Sequence, residues 1–379
     1  MNRSRTALAA GLLAVVALAA TACGSSSSAG SSGGDTKAAT AKSAADLGGM
    51  DALIAAAKAE GTLNLITLPR TWAGYGDLMD NFTKKYGIKI TDANPDGSSQ
   101  DEINAVKQLK GQDRAPDALD LGSSFALSAA SANLLAPYQV ASWKDIPESQ
   151  KDAQGRWYND YGGYISIGYD AKQVTTPPTS FADLAKPEYK GKVALNGDPT
   201  KAGAAFAGVF AASLAKGGNA DNIQPGIDFF GELKKSGNFI PVGATQATIQ
   251  SGQTPITIDW DYLQVSAANT LKGKVDWKVV VPKDGLYANY YNQAISATAP
   301  HPAAARLWEE YLYSAEGQNG FLKGWARPVE LAAMQAAGTV DKTELAALPQ
   351  VDGNSPFPTE AQLDAAKKVI ADSWAKTVG

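Results

Sequence analysis

Short apolar segments alternate along this chain with longer segments whose apolar residues have helical spacing. The first predicted strand is Thr62 to Leu68, and the helix predicted after it, Tyr75 to Tyr86, carries Leu78, Met79 and Phe82 on one face. This alternation favours a mostly parallel sheet covered by helices. Further strands are predicted at 88–91 and 118–121, and further helices at 99–109 and 123–131.

The same alternation restarts in the middle of the chain, which indicates a second α/β lobe. Strands are predicted at 192–195, 256–259, 275–281 and 292–296, and helices at 203–215, 227–236 and 302–313. The length of 379 residues suits two domains. Ligands of such sheets bind at the carboxyl ends of the strands, where loops meet helix N-termini. We therefore look for functional residues in those loops.

Charge and composition exclude several classes of function. The formal net charge is −4, whereas nucleic-acid binders usually carry a basic excess, so no nucleic-acid partner is expected. One His and one Cys leave no Cys-rich zinc site and no disulfide framework. His301 lies between two prolines and is expected to be a surface loop residue, so Ser–His catalysis has no candidate base. We expect no cofactor and no metal site.

The N-terminus predicts export. Arg3 and Arg5 precede a small apolar segment, 7–20, which is too short to span a bilayer and is typical of a signal peptide. Residues 18–24 (LAATACG) resemble a bacterial lipobox, with Ala20 where Leu is preferred. We therefore predict a signal peptide over 1–22, a lipidated Cys23, and a Gly/Ser tether over 23–45. An ordinary secretory signal is the alternative.

The segment 259–262 (DWDY) is the sharpest cluster of chemistry-bearing residues. Successive side chains of a strand alternate, so a continued strand would place Asp259 and Asp261 on one face and Trp260 and Tyr262 on the other. Paired carboxylates need a cation or a donor. The pair therefore predicts a site for an amine or a metal cation, and a solvated strand end is the alternative.

Loops that follow the predicted strands supply further candidate binding residues. Trp72 and Tyr75 follow the first strand, where aromatic rings can contact alkyl chains or cations. Two other strand-to-helix loops place small or charged residues at helix N-termini, which favour anions. Their candidates are Ser123, Ser124 and Phe125 in one loop, and Asp198, Thr200 and Lys201 in the other.

Two motifs and the lipobox together resemble the solute-binding proteins of ABC importers, in the branch that holds ferric-ion, polyamine and 2-aminoethylphosphonate binders. The motifs are 187–193 (PEYKGKV) and 314–318 (SAEGQ). The resemblance implies a type II periplasmic-binding-protein clamp of two α/β lobes with hinge strands between them. We expect lobe 1 over 46–168 and 288–335, lobe 2 over 169–287, and C-terminal helices over 336–379 packing on the lobes. Hinges are expected near 167–170, 261–266 and 287–293.

The resemblance leaves the ligand open. Polyamine binders have aromatic and small residues matching Trp72, Tyr75, Ser123 and Phe125, but Lys201 and Tyr291 replace acids of their pattern. Ferric binders use adjacent Tyr residues, and here Tyr262 stands alone while Tyr290 and Tyr291 are adjacent. Acids for an ammonium, and Lys201 with helix N-termini for an anion, suit a zwitterion such as 2-aminoethylphosphonate.

A monomeric binding lipoprotein is therefore expected at the extracytoplasmic face of the cell membrane. Its implied partners are an ABC permease and the ATPase of that permease, and its contact with the membrane is the lipid anchor alone. No enzymatic activity is expected. A secreted hydrolase that uses two carboxylates is the alternative from another class, because sequence does not fix the distance between the acids.

Overall fold

The computed structural model describes residues 37–351, 353 and 355–379. The predicted signal peptide, Cys23 and most of the tether lie outside these residues. Within the described part of the chain, no helix is both long and apolar enough to cross a membrane.

Strands and helices alternate as predicted, and the mixed α/β class is confirmed. The strands are β1 Thr62–Ile66, β2 Lys89–Ala93, β3 Ala118–Gly122, β4 Leu135–Ala136, β5 Tyr158–Asp170, β6 Val193–Leu195, β7 Ile256–Trp260, β8 Trp277–Val280, β9 Ala288–Ser296 and β10 Arg327–Pro328. The α-helices are α1 Ala44–Leu47, α2 Met50–Glu60, α3 Tyr75–Tyr86, α4 Ser99–Gln108, α5 Ser123–Ser131, α6 Gly203–Ala215, α7 Gln224–Ser236, α8 Gln246–Gln250, α9 Asp261–Thr270, α10 Pro302–Leu312, α11 Ala315–Lys323, α12 Leu331–Ala337, α13 Lys342–Ala346 and α14 Glu360–Thr377.

The sheets are less parallel than the sequence predicted. Only β1 with β2 and β6 with β7 pair in parallel among the described strands. Strand β9 pairs antiparallel with β3 and β5, and β5 pairs antiparallel with β7 and β8. Every antiparallel pairing among the described strands includes β5 or β9. The sequence pattern marks these two segments as strands but does not fix their direction relative to their neighbours. We call the elements around β3 and β9 the first lobe, and those around β6 and β7 the second lobe.

Strand β5 belongs to both lobes. Its residues from Tyr158 to Tyr164 pair with β9, and its residues from Ile165 onward pair with β7 or β8. The change of partner therefore falls at Tyr164–Ile165, slightly before the expected hinge at 167–170. The expected hinge at 261–266 is instead the first part of α9, so an ordered helix begins where the sequence predicted a strand-like crossing.

The last helix contacts both lobes. Near its middle, the Lys367 ammonium donates to Ser128 Oγ of α5 at 2.8 Å and lies 3.9 Å from the centre of the Phe125 ring. Towards its end, the Trp374 ring packs against Phe230 and Phe239 of the second lobe. Helix α14 is thus a connection between the lobes that is separate from β5 and β9.

Candidate functional site

A cleft of about 310 Å³ lies between the two lobes. The first lobe contributes the loop after β1, the loop before α4 and the end of β3. The second lobe contributes the loop after β6, the N-termini of α6 and α8, the end of β7 and one side of α9. Its polar lining residues include Thr67, Asp96, Ser99, Glu102, Asp120, Asn196, Thr245, Gln246, Asp259 and Gln264, and its aromatic lining residues are Trp72 and Tyr291.

The lobes already touch at the rim of this cleft. The backbone N–H of Gln100 donates to the carbonyl of Lys201 at 3.2 Å, and Ser266 Oγ donates to the carbonyl of Thr71 at 3.1 Å. A Cβ added to Gly122 of β3 would lie 2.9 Å from the Cα of Gly203, the first residue of α6. The structure is therefore a closed form, and close backbone approach explains why glycine occupies positions 122 and 203.

Asp259 is the acid that the second lobe presents to the cleft. Its carboxyl accepts from Asn196 Nδ2 at 2.9 Å and from the backbone N–H of Trp260 at 2.8 Å. Burial raises the pKa of Asp259 to about 7, and these two hydrogen bonds oppose the shift. Near neutral pH this carboxyl is therefore partly protonated, and a cation in the cleft would favour its ionised form.

Asp120 is the matching acid of the first lobe. Its Oδ2 accepts from the Tyr161 hydroxyl at 2.7 Å, and its Oδ1 has no hydrogen-bond partner among the described residues. Its backbone N–H donates to Glu102 Oε2 at 2.9 Å. Burial, with Asp160 and Glu102 nearby, raises the pKa of Asp120 well above its usual range. Burial also raises the pKa of Glu102, so this side of the cleft is crowded with carboxyl groups.

Trp72 lines the cleft and is supported by other aromatic rings. Its ring meets the edges of Tyr291 and Tyr262, with ring centres 5.6 Å and 6.2 Å away. Its indole N–H donates to the Tyr161 hydroxyl, which in turn donates to Asp120. The aromatic surface and the first-lobe acid are therefore held by one hydrogen-bonded chain.

Three helix N-termini open onto the cleft. Gly203 and Ala204 begin α6, whose N-cap residue Ala202 has no side-chain oxygen to cap the first N–H groups. In contrast, Ser98 caps α4 and Thr245 caps α8. Of these three helices, α6 is therefore the one whose N-terminal backbone N–H groups are available to an anionic group.

Only three of the predicted binding residues line the cleft, namely Trp72, Asp259 and Tyr291. Tyr75 is fully buried in the first lobe, where its hydroxyl donates to Asp160 and accepts from Gln293. The position of Tyr75 on the inner face of α3 explains this, since that face packs into the core. Ser123 donates to the carbonyl of Tyr290 beside the hinge.

Other candidates also lie off the cleft. Ser124 and Phe125 are buried beneath Lys367 of α14, and Tyr262 is buried behind Trp72. The ring of Tyr290 stacks on Phe357. None of these four residues lines the cleft.

Asp261 lies away from the cleft because the strand ends at Trp260. The backbone turns into α9 at residue 261, so the strand alternation that would place Asp261 beside Asp259 does not apply. The Asp261 carboxylate instead forms a buried ion pair with Arg327 of β10 at 2.6 Å and accepts from the backbone N–H of Tyr164. It therefore joins α9 to strands of the first lobe at the hinge.

Lys201 also lies outside the cleft lining. Its side chain is 63% exposed and pairs loosely, at 3.7 Å, with Asp198. Asp198 accepts from the backbone N–H and hydroxyl of Thr200, so these three residues form a local turn before α6. Any anion-binding capacity in this region therefore comes from the backbone of α6.

Sequence reasoning missed Asp120, Glu102 and Asn196. Asp120 lies in a segment, 118–122, that is buried throughout, and it was treated as part of the strand core. An acid within such a strand, two residues before its end, is a signal that could have identified it. Glu102 lies in the first turn of α4, where acids commonly serve as capping residues, but Asp101 forms the capping box and Glu102 accepts from the backbone N–H of Asp120.

Comparisons with known proteins identify the family and the fold. Residues 114–351 match the family profile "Bacterial extracellular solute-binding protein". The chain is 23% identical over 247 residues to the Fe(3+)-binding periplasmic protein of Serratia marcescens, covering 63% of this chain and 70% of that protein.

Solved structures resemble the chain over most of its length. The periplasmic binding protein AfuA from Actinobacillus pleuropneumoniae, with fructose-6-phosphate bound, has a TM-score of 0.66 and 18% identity, covering 84% of this chain and 99% of that chain. Iron-bound HitA from Pseudomonas aeruginosa has a TM-score of 0.59 and 20% identity, covering 84% and 99%. These likenesses confirm the predicted fold, the two-lobe type II periplasmic-binding-protein clamp.

Proposed function

We propose that this chain, which belongs to the bacterial extracellular solute-binding proteins, delivers a small amine-bearing solute to an ABC permease. The family acts as the binding component of ABC importers, which also contain a permease and its ATPase. In our proposal the solute enters between the lobes, the lobes close on it, and the closed form docks on the permease. The protein has no catalytic role in this scheme.

The composition of the cleft lining carries this proposal. Four carboxyl side chains line the cleft, those of Asp96, Glu102, Asp120 and Asp259, and none of its described lining residues is Lys, Arg or His. Three of these acids, Glu102, Asp120 and Asp259, are buried, and a desolvated group of acids is stabilised by a cation rather than by an anion. Trp72 adds an aromatic face, which attracts an ammonium group or covers an alkyl chain.

The uncapped N-terminus of α6 adds a preference for a zwitterion. An ammonium between the acids and a phosphonate or carboxylate at Gly203 and Ala204 would satisfy both ends of the cleft. A solute shaped like 2-aminoethylphosphonate has this arrangement. A diamine would satisfy the acids alone and would leave the α6 N–H groups to water.

Calorimetric titration with 2-aminoethylphosphonate, putrescine, spermidine and ferric citrate tests the proposal. We expect an amine to bind. Asp259→Asn should lower the affinity for that amine by roughly thirtyfold or more, because one charge of a desolvated pair is lost. Lys201→Glu, which changes an exposed side chain, serves as the control and is expected to have little effect. Amine affinity should fall as the pH drops below 7, because protons then compete for Asp259. No binding of any amine would refute the proposal.

Truncation of Trp72 is expected to weaken binding without unfolding the first lobe. Trp72 is only partly buried and lines the cleft, so its indole is available to the solute. Loss of a packed aromatic contact costs about 2 kcal/mol, or roughly thirtyfold in affinity. Titration of Trp72→Ala with the amine that binds the wild type checks this, and a thermal melt checks the fold. Unchanged affinity would remove Trp72 from the site.

A ferric ion is the second candidate, and one cluster favours it. The Tyr161 ring centre lies 5.6 Å from that of Tyr262 and 5.8 Å from that of Tyr291. The Tyr262 hydroxyl is buried and has no hydrogen-bond partner among the described residues. Phenolate oxygens beside Asp120 or Asp259 could bind iron. Visible absorption on adding ferric citrate, lost in Tyr291→Phe, would support iron in place of an amine.

We also propose that Cys23 anchors the protein at the extracytoplasmic face of the membrane. The support is the lipobox-like sequence, in which the sole Cys of the chain follows small residues. Cys23→Ser should therefore release the protein into the soluble fraction or leave an unprocessed precursor. Fractionation with an immunoblot checks this. A correctly cleaved Cys23→Ser protein that stays with the membrane would contradict the anchor.

A further inference from the structure

We infer that Asp120 binds the solute directly, so that its ammonium is held by one carboxyl from each lobe, Asp120 from the first and Asp259 from the second. This inference rests on the proposed function and specifies its chemistry. It adds a residue from inside a buried strand to a site that the sequence assigned to loops and to β7.

The first observation is the unpartnered oxygen of Asp120. The residue is only 6% exposed, lines the cleft, and has a hydrogen bond to Oδ2 but none to Oδ1 from the described residues. A buried polar atom without a partner is costly, and buried polar atoms are therefore usually paired. In a binding protein, the solute is the natural source of the missing donor.

The second observation concerns the charge of the groups that face Asp120. Helix α4 contributes Glu102, strand β5 contributes Asp160 and the Tyr161 hydroxyl, and helix α10 contributes Glu309. These groups include no cation, so the protein does not itself neutralise Asp120. An ammonium group supplies both the positive charge and up to three N–H donors.

The third observation links Asp120 to closure. Gly122 follows Asp120 by two residues, and at Gly122 strand β3 approaches Gly203 of the second lobe. Asp259 lies at the end of β7 in that second lobe. An ammonium shared by the two carboxyls has all of its partners only when the lobes are together. Part of the binding free energy would therefore favour the closed form.

The test compares matched acid-to-amide variants by titration with putrescine and with 2-aminoethylphosphonate. We expect Asp120→Asn to weaken binding of the amine by about thirtyfold or more, in the range for a lost partner of a desolvated charge pair. Asp117→Asn is the control. Asp117 is also a buried acid of the first lobe, but it accepts from the backbone N–H groups of Asn64 and His301 and does not line the cleft. We expect its affinity to change by less than about threefold.

A second variant keeps the test from depending on the folding of Asp120→Asn alone. Asp120→Glu retains a carboxyl at this position, so it should keep part of the putrescine affinity that Asp120→Asn loses. A thermal melt without solute checks that both variants are folded.

The outcomes separate this inference from the proposed function. Amine binding that is unchanged in Asp120→Asn overturns the role of Asp120 and leaves the proposed function standing. Absence of amine binding to the wild type overturns both. Binding that weakens in Asp120→Asn and Asp259→Asn, but not in Asp117→Asn, supports both.

Discussion

Replacing Arg327 by Met is expected to lower the free energy of unfolding by about 3–5 kcal/mol, because it leaves the buried Asp261 carboxylate without its counter-ion. The Asp261 side chain is fully buried, and Arg327 donates to it at 2.6 Å and to the carbonyl of Pro349 at 2.9 Å. The backbone N–H groups of Tyr164 and Tyr262 still donate to Asp261, so we expect the loss to lie towards the lower end of this range.

Urea unfolding of three variants checks this expectation. Arg327→Met should be much less stable than the wild type, and the double variant Asp261→Asn/Arg327→Met should recover part of the loss because no charge stays buried. Arg70→Met is the control, since its ion pair with Asp80 is largely exposed and is expected to contribute about 1 kcal/mol or less. Equal stability of Arg327→Met and Arg70→Met would contradict a stabilising role for the hinge pair.

A leucine at position 122 is expected to reduce solute affinity on the order of a hundredfold by holding the lobes apart. The added Cβ would meet Gly203 Cα at 2.9 Å, a distance that real Cβ atoms do not tolerate. The next two atoms, Ser99 Oγ and Gly203 N, lie at ordinary distances of 3.6 Å and 3.7 Å. Overpacking costs about 1–3 kcal/mol, and here the cost falls on the closed form because the clash is with a residue of the other lobe.

A graded series separates this closure effect from a folding effect. Gly122→Ala should weaken binding less than Gly122→Leu, while both variants melt near the wild-type temperature without solute. Gly243→Ala adds a Cβ with ordinary contacts at 3.8 Å and should bind normally. Small-angle scattering should show compaction on binding for the wild type but not for Gly122→Leu. Full compaction and affinity in Gly122→Leu would show that positions 122 and 203 do not approach during closure.

Local sequence patterns predicted the elements well but not the environment of each side chain. Trp72 was found because it lies in the loop after an apolar strand, and Asp259 because it lies near the end of one. Such positions lie at the edge of a sheet where ligands bind. Asp261 and Tyr75 were misplaced because their orientation depends on where a helix begins and which face it buries. A change from strand to helix at one residue turns neighbouring side chains in different directions.

Asp120 and Lys201 show a different limit. The environment of Asp120 is created by α4, β5 and α10, which lie far away in the sequence, so its unpartnered oxygen has no local signature. Lys201 has the right charge beside a helix N-terminus, but a nearby acid and solvent satisfy it. In both cases long-range packing, rather than residue type, decides which charges reach the cleft.

The environment of Lys367 makes the reactivity of its amine a measure of clamp opening. Burial lowers the pKa of Lys367 to about 8, so near that pH about half of its amines are uncharged and nucleophilic. The same amine is shielded while α14 rests on Phe125 and Ser128. If opening of the clamp lifts the helix, acylation at this one lysine should accelerate, and the modified peptide in a mass spectrum would record how often the clamp opens.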